Sequence, residues 1–180
     1  MELGEGRNTL VRVDLLAYME TLCPYSASTV WPFIVRWNDW VDARDYVEHR
    51  VGGNQGAEGE VKRITHFESG GRVESSFLVR VLRVIPNRLL VYKILSPAIQ
   101  YDAESGQTTA LPLTGYEVFE LREAGQGTAL SFQVLAETKR RGISVAEAQE
   151  LGRVYRENAE QAWNERYFPA LHALLNRGAK

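Results

Sequence analysis

The sequence predicts an α+β fold: a curved antiparallel sheet of seven strands wrapped around a long C-terminal helix, with two short helices after strand one. Three observations carry this expectation. From Arg44 to Thr138 apolar residues mostly alternate with polar ones, the period of a strand with one buried face, and Gly, Pro, Asn and Ser punctuate the runs at hairpin spacing. At Ser144 the apolar period changes to three and four, the spacing of one helix face. Hairpin connections imply antiparallel pairing, and a single long amphipathic helix packs most economically across the concave face of such a sheet.

Each element has its own justification. Met1 to Thr9 reads as loose chain. Val11, Val13, Leu15, Ala17 and Met19 alternate with Arg12, Asp14 and Tyr18 to give strand one, with Leu16 breaking the polar side. Ser26 and Ser28 are possible N-caps before Val30, Trp31, Phe33 and Ile34, and Pro32 is tolerated in a first helical turn. Trp37 and Trp40 continue at helical spacing, and Asn38 and Asp39 offer a second cap, so two short aromatic helices are expected to plug one end of the core. Arg44–Val51, Gly59–Glu68, Arg72–Val84 and Leu89–Leu95 read as strands two to five. Their turns are Gly52–Gly56, Ser69-Gly70-Gly71 and Pro86-Asn87. The Gly52–Gly56 stretch lacks the Gly-Lys-Ser/Thr ending of a phosphate loop and reads as a hairpin turn or a loop at a pocket mouth.

Ser96 to Thr114 is irregular, punctuated by Pro97, Gly106 and Pro112, with Ser105-Gly106 able to turn a looser hairpin. Its length suggests a lid bordering a cavity entrance. Tyr116–Arg122 and Thr128–Thr138 are the last two strands. The helix then runs from Ser144 to about Asn176. Ser144 and Glu147 form a capping box. Ala148, Leu151, Tyr155, Ala159, Ala162, Trp163, Tyr167, Leu171 and Leu174 share its apolar side. Pro169 lacks an N–H and crowds the carbonyl of Glu165, so a kink is expected there. Ala148, Gly152, Ala159 and Ala162 are small. They permit either close packing on the sheet or a space above it.

Composition narrows the function classes. The chain has 180 residues, 44% hydrophobic, with a formal net charge of −2, which fits one domain spanning 1–180. That charge gives no reason to expect nucleic acid or an anionic membrane surface as partner, and Lys139, Arg140 and Arg141 read as solvated surface. Cys23 is the single cysteine, so no disulfide within the chain forms. It reads as a small hydrophobe beside Pro24 rather than a nucleophile. No basic-then-apolar leader and no apolar run of membrane-spanning length is visible, so a cytoplasmic protein with no integral membrane segment is expected. No motif speaks to oligomeric state.

The element order resembles the START-like helix-grip superfamily (SRPBCC), which includes polyketide cyclases/dehydrases, lipid-transfer domains and plant hydrophobic-ligand proteins. The residues that carry the resemblance are Ser26, Thr29, Val30, Trp31, Ile34 and Trp37–Trp40 at the short helices, and Gly59-Glu60-Val61-Lys62-Arg63 in strand three. Gly127-Thr128-Ala129-Leu130 entering strand seven, and Trp163 with Leu171 in the last helix, complete it. The resemblance implies the fold across nearly the whole chain. It implies either a carrier of a hydrophobic, aromatic or lipid-like small molecule, or a polyketide cyclase/dehydratase-like enzyme. It selects no activity, because one such fold hosts many functions.

Candidate residues follow from strand parity. Glu117 shares a face with Phe119 and Leu121, and a carboxylate buried there is either a general base of raised pKa or half of a structural ion pair. Arg63 is expected on the same interior by parity with Val61 and Phe67, as a partner for Glu117 or a ligand anion. Phe77, Val79, Phe119, Phe132, Ala159 and Ala162 are the expected apolar lining. Tyr155 and Asn158 are the polar groups offered by the helix, Tyr155 being also a candidate for chemistry. His49, His66 and His172 lack ligand spacing, leaving only a site assembled in space from His49 and His66. No metal and no cofactor is expected.

Overall fold

The structure is a computed structural model and describes residues 13–36, 41, 46–67, 73–95, 98–101, 108–111, 114–137, 153, 156–157 and 159–178. Its strands are β1 (Val13–Cys23), β2 (Tyr46–Gly52), β3 (Val61–Phe67), β4 (Val73–Ile85), β5 (Leu89–Ile94), β6 (Ala98–Tyr101), β7 (Thr108–Leu111), β8 (Gly115–Ala124) and β9 (Gly127–Glu137). Helix α1 (Ala27–Val35) follows β1, and α2 (Phe168–Gly178) ends the described chain.

Seven strands form the antiparallel sheet in the order β1-β9-β8-β5-β4-β3-β2. The expected run of consecutive hairpins is therefore present, with β1 returning to close against β9. The remaining pair, β6 and β7, lies within the stretch read as irregular. The expected looser hairpin exists, and β6 pairs with β4 at Ser75 and Ser76. β6, with β7 paired to it, thus extends the sheet from β4.

One face of the sheet is buried along its whole width. Ala17, Met19, Ile64, Phe77, Val79, Val81, Leu90, Tyr92, Phe119, Leu121, Leu130, Phe132 and Val134 point to it. On β1 the alternation read from sequence breaks at Leu16. Leu15 pairs with Leu135 and Ala17 with Val134, so β1 carries one extra residue. This bulge turns Val13 and Leu15 outward while Ala17 and Met19 stay inward.

The entry to β9 is fixed by backbone proximity. A Cβ on Gly127 would overlap the carbonyl oxygen of Cys23, and the Thr128 hydroxyl donates to the Tyr25 carbonyl at 2.8 Å. Together they lock the β1–α1 turn onto the start of β9. Helix α1 begins at Ala27, which puts Pro32 inside the helix rather than in its first turn. The second short helix and the Ser144–Glu147 capping box fall outside the described residues.

Where a kink at Pro169 is expected, the helix carries a π turn just before it. Residues 159–162 are helical, Trp163–Tyr167 is π-helical, and the Phe168 N–H donates to the Trp163 carbonyl. The extra residue in this turn accommodates the missing donor and ring of Pro169. It also rotates the face beyond it. Trp163, Tyr167, Leu171 and Leu175 are buried at a spacing of four, so Leu175 takes the place expected of Leu174. Among the described residues no helix is long and apolar enough to cross a membrane.

Candidate functional site

The space between sheet and C-terminal helix is apolar on one side and polar on the other. On the apolar side Phe119 and Phe132 meet at 4.7 Å between ring centroids, and Trp163 stacks on Phe132 at 4.4 Å. Phe168 and Tyr167 close over Trp163 at 5.0 and 5.3 Å. Phe119 and Phe132 therefore face the interior, and the indole of Trp163 occupies the volume in front of them. Phe77 and Val79 are buried further along the same wall, and Ala159 and Ala162 are half-buried against the core. Tyr155 and Asn158 lie outside the described residues.

The polar side is built by β2, β3, β5 and β8. Parity on β8 does what the sequence indicates: Glu117 is 7% exposed and points inward with Phe119 and Leu121. Its cross-strand neighbours are Tyr92 on β5 and Val134 on β9. Among the described residues its carboxyl has no hydrogen-bond or ion-pair partner. Burial, and then the nearby Glu48 carboxylate, push its pKa up to about 8. Glu117 therefore holds its proton at neutral pH, and it presents the interior with a neutral acid able to donate one hydrogen bond.

The expectation for Arg63 is corrected by the register of β3. Lys62 pairs with Val79 and Ile64 with Phe77, and those inward partners set the inward residues of β3 as Lys62, Ile64 and His66. Arg63 is exposed and lies opposite His49, which is exposed as well. Val61 and Phe67, which suggested the other parity, sit at the two ends of the strand and are only half-buried. The buried cation is Lys62. Its ammonium lies 3.0 Å from the Glu48 carboxylate, 3.4 Å from the Tyr92 hydroxyl and 3.9 Å from the Glu60 carboxylate. Tyr46 donates to Glu48 at 2.6 Å, and the Gly56 N–H donates to Glu60 at 2.7 Å, which ties the glycine-rich turn to the cluster.

His66 completes the wall at its other end. The Tyr167 hydroxyl lies 3.4 Å from its Nδ1, Tyr46 meets it edge-on at 5.1 Å, and Phe77 stacks on it at 5.9 Å. Burial, reinforced by Arg166, lowers its pKa to about 4, so the imidazole is neutral. His49 and His66 face opposite sides of the sheet, which removes the pairing considered for a metal. Among the described residues no cluster of three or more potential metal ligands occurs.

A cavity of about 180 Å³ opens beside this cluster. Its walls are Val35 and Arg36 at the end of α1, Glu48 and Arg50 on β2, Gln55 of the glycine-rich turn, and Glu60 and Lys62. The reading of Gly52–Gly56 as a loop at a pocket mouth agrees with Gln55 lining it. Glu48, Lys62, Tyr46, Tyr92 and Tyr167 are not among the site residues expected from sequence, and His66 is expected only as a partner of His49 at a metal. The phase of β3 was the missing signal. Once Ile64 is inward, Lys62 and His66 follow, and Glu48 and Tyr46 come with the β2–β3 register.

Comparison with known proteins adds the fold. No family model and no curated protein matches the chain. Among solved structures it is similar to Ara h 8.0201, with 17% identity, a TM-score of 0.63, and 93% of this chain and 99% of that chain covered. It is similar to SA2116 from Staphylococcus aureus, a protein of unknown function, with 14% identity, a TM-score of 0.62, and 96% and 99% covered. Ginseng major latex-like protein 151 from Panax ginseng aligns with 7% identity, a TM-score of 0.53, and 82% and 96% covered. These similarities establish the helix-grip fold for this chain.

Proposed function

We propose, from the helix-grip fold as premise, that the protein binds a small, largely apolar molecule between the sheet and the C-terminal helix. The observation that carries this reading is Glu117. A carboxyl buried on the polar wall, with no partner among the described residues, costs several kcal/mol unless something accepts its proton or pairs with it. A ligand polar group supplies that partner, while Phe119, Phe132 and Trp163 supply the apolar contact. Tyr92 flanks Glu117, and Tyr155 and Asn158 are assigned to the helix side of the site by sequence period alone. The rings of Trp163 and Tyr167 fill part of the interior, so occupancy requires the helix segment around the π turn to shift. π turns inside α-helices frequently mark such functional positions.

The reading is tested by native mass spectrometry of the purified protein and by titration with N-phenyl-1-naphthylamine, a neutral apolar dye. The expected result is a saturable fluorescence rise that Trp163→Ala changes, through the volume it opens, and that Glu117→Gln alters without unfolding the protein. Absence of both co-purified ligand and dye binding refutes it. A second reading, a cyclase/dehydratase-like enzyme, is favoured by the same acid. A carboxyl still protonated at neutral pH is suited to deliver a proton to a polyketide-like carbonyl. A Glu117→Gln variant that binds substrate normally but does not turn it over would select this reading.

A further inference from the structure

The polar wall has more to say about which molecule it takes. Glu117 is a buried carboxyl with no partner among the described residues, and its surroundings are not neutral. From β2, Glu48 faces it closely enough to act on its charge. Glu60, just before β3, acts with Glu48 and Glu117 on the Tyr92 phenol between them. Among the described residues Lys62 on β3 is the buried cation of this group, and Glu48 and Glu60 engage it. Among the described residues the phenols of Tyr46 and Tyr92 also face this wall, both held far into their neutral form by burial, while Arg36 and Arg50 line the cavity beside it from the end of α1 and from β2. From the helix, Tyr167 adds a phenol against the neutral His66, and Arg166 is exposed beyond it. Glu48 acts on Glu117 in the sense that keeps its proton on, so an added positive charge is favoured there over a negative one.

The aromatic groups around Glu117 point the same way. Tyr92 pairs with it across the sheet, Phe119 is the next inward residue of its own strand, and Tyr92 and Phe119 meet edge to face at 6.1 Å. Trp163 stands 5.8 Å from Phe119. Ring faces attract cations, and the chain already uses this wall that way: the Lys62 ammonium sits 5.4 Å from the Tyr92 ring centroid. A carboxyl without a partner, beside a second carboxylate and among ring faces, has what an ammonium group needs, and it is a poor place for an anion.

We propose that the ligand is an amine: an aromatic or other apolar body carrying a protonated amino group that pairs with Glu117. This deepens the binding function proposed above and rests on it. The ammonium arrives with its proton. The Glu117 carboxyl releases its own to solvent, and an N–H···O ion pair forms with no other bond made or broken. Because a bound cation lowers the pKa of the carboxyl it faces, binding and deprotonation of Glu117 are one linked event.

The test uses three probes on one apolar body: 1-naphthylmethylamine, 1-naphthylmethanol and 1-naphthoate. Each is titrated calorimetrically into the whole chain at pH 7, in phosphate and in Tris, whose ionisation enthalpies differ. The expected order is amine first, about tenfold or more over the alcohol, with the carboxylate weakest. With Glu117 at a pKa of about 8, amine binding should release ~0.9 proton at pH 7. The amine's affinity should then fall by up to about a hundredfold between pH 7 and pH 5, while the alcohol's stays level. Glu117→Gln should bring the amine down to the alcohol and abolish proton release. The wild-type proton count stands as evidence even where that variant fails to fold. If the alcohol binds as tightly as the amine, or the amine binds with no proton released, the inference is overturned while the apolar-ligand function survives. If none of the three binds, the inference is overturned, and the apolar-ligand function falls with it when the dye and native mass spectrometry are negative as well.

Discussion

Glu117→Gln should remove the alkaline limb of this protein's stability profile. The carboxyl has a folded pKa of about 8 against an ordinary value of 4.5. Between those values the folded state keeps a proton that the unfolded chain gives up, so stability falls as pH rises through the window. At ~1.36 kcal/mol per pKa unit, the loss from pH 5 to pH 9 is at most about 4 kcal/mol. His66 acts with the opposite sign. Its folded pKa of about 4 lies below the ordinary 6.5, so as pH falls the unfolded chain takes up the proton first and stability declines below pH 6.5. The two penalties balance at about pH 5.5, where the contribution of this pair is greatest. Urea unfolding followed by circular dichroism, at constant ionic strength from pH 4.5 to 9.5, measures the profile. The wild type should decline on both sides, whereas Glu117→Gln should be nearly level above pH 6.5 and keep the acid decline. A wild-type profile that is flat from pH 6 to 9, or a variant that follows the wild-type slope, would refute the buried-acid argument.

Two further outcomes rest on neighbouring geometry. Lys62→Met should cost about 3–5 kcal/mol, because it removes the buried ammonium that the Glu48 and Glu60 carboxylates engage. The double variant Lys62→Met/Glu48→Gln should recover much of that. Arg63→Ala, one residue on but exposed, should stay within ~0.5 kcal/mol. Chemical denaturation of the four proteins checks this, and equal costs at positions 62 and 63 would contradict the register assigned to β3. Gly127→Ala should destabilise by about 1–3 kcal/mol, since its Cβ meets the backbone of Cys23 rather than a side chain that can move. A thermal midpoint unchanged from wild type would show that the β1–β9 junction is looser than described.

Most of the architecture was legible in the chain because it depends on local period. The alternation in β4, β5, β8 and β9 and the switch to helical spacing near the C-terminus need no knowledge of neighbours. On β8 the same alternation was enough to put Glu117 inside, since Phe119 and Leu121 are both large, apolar and central to the strand. Even the disturbance at Pro169 followed from one missing donor, although its form as a π turn did not.

What only the tertiary structure decided is the phase of strands whose own pattern is ambiguous, and the order in which distant groups meet. β3 alternates on both parities, with apolar ends on one and Ile64 on the other. Pairing with Phe77 and Val79 breaks the tie and exchanges Arg63 for Lys62. The bulge at Leu16 and the rotation that buries Leu175 arise the same way, from one extra residue whose effect depends on what lies across from it. The acidic, aromatic character of the site draws on β2, β3, β5, β8 and the final helix. Period places each residue on a face, but only the pairing of strands sets Glu48 near Glu117 and Trp163 against Phe132. A buried charge is governed by its neighbours in space, and a sequence states only its neighbours along the chain.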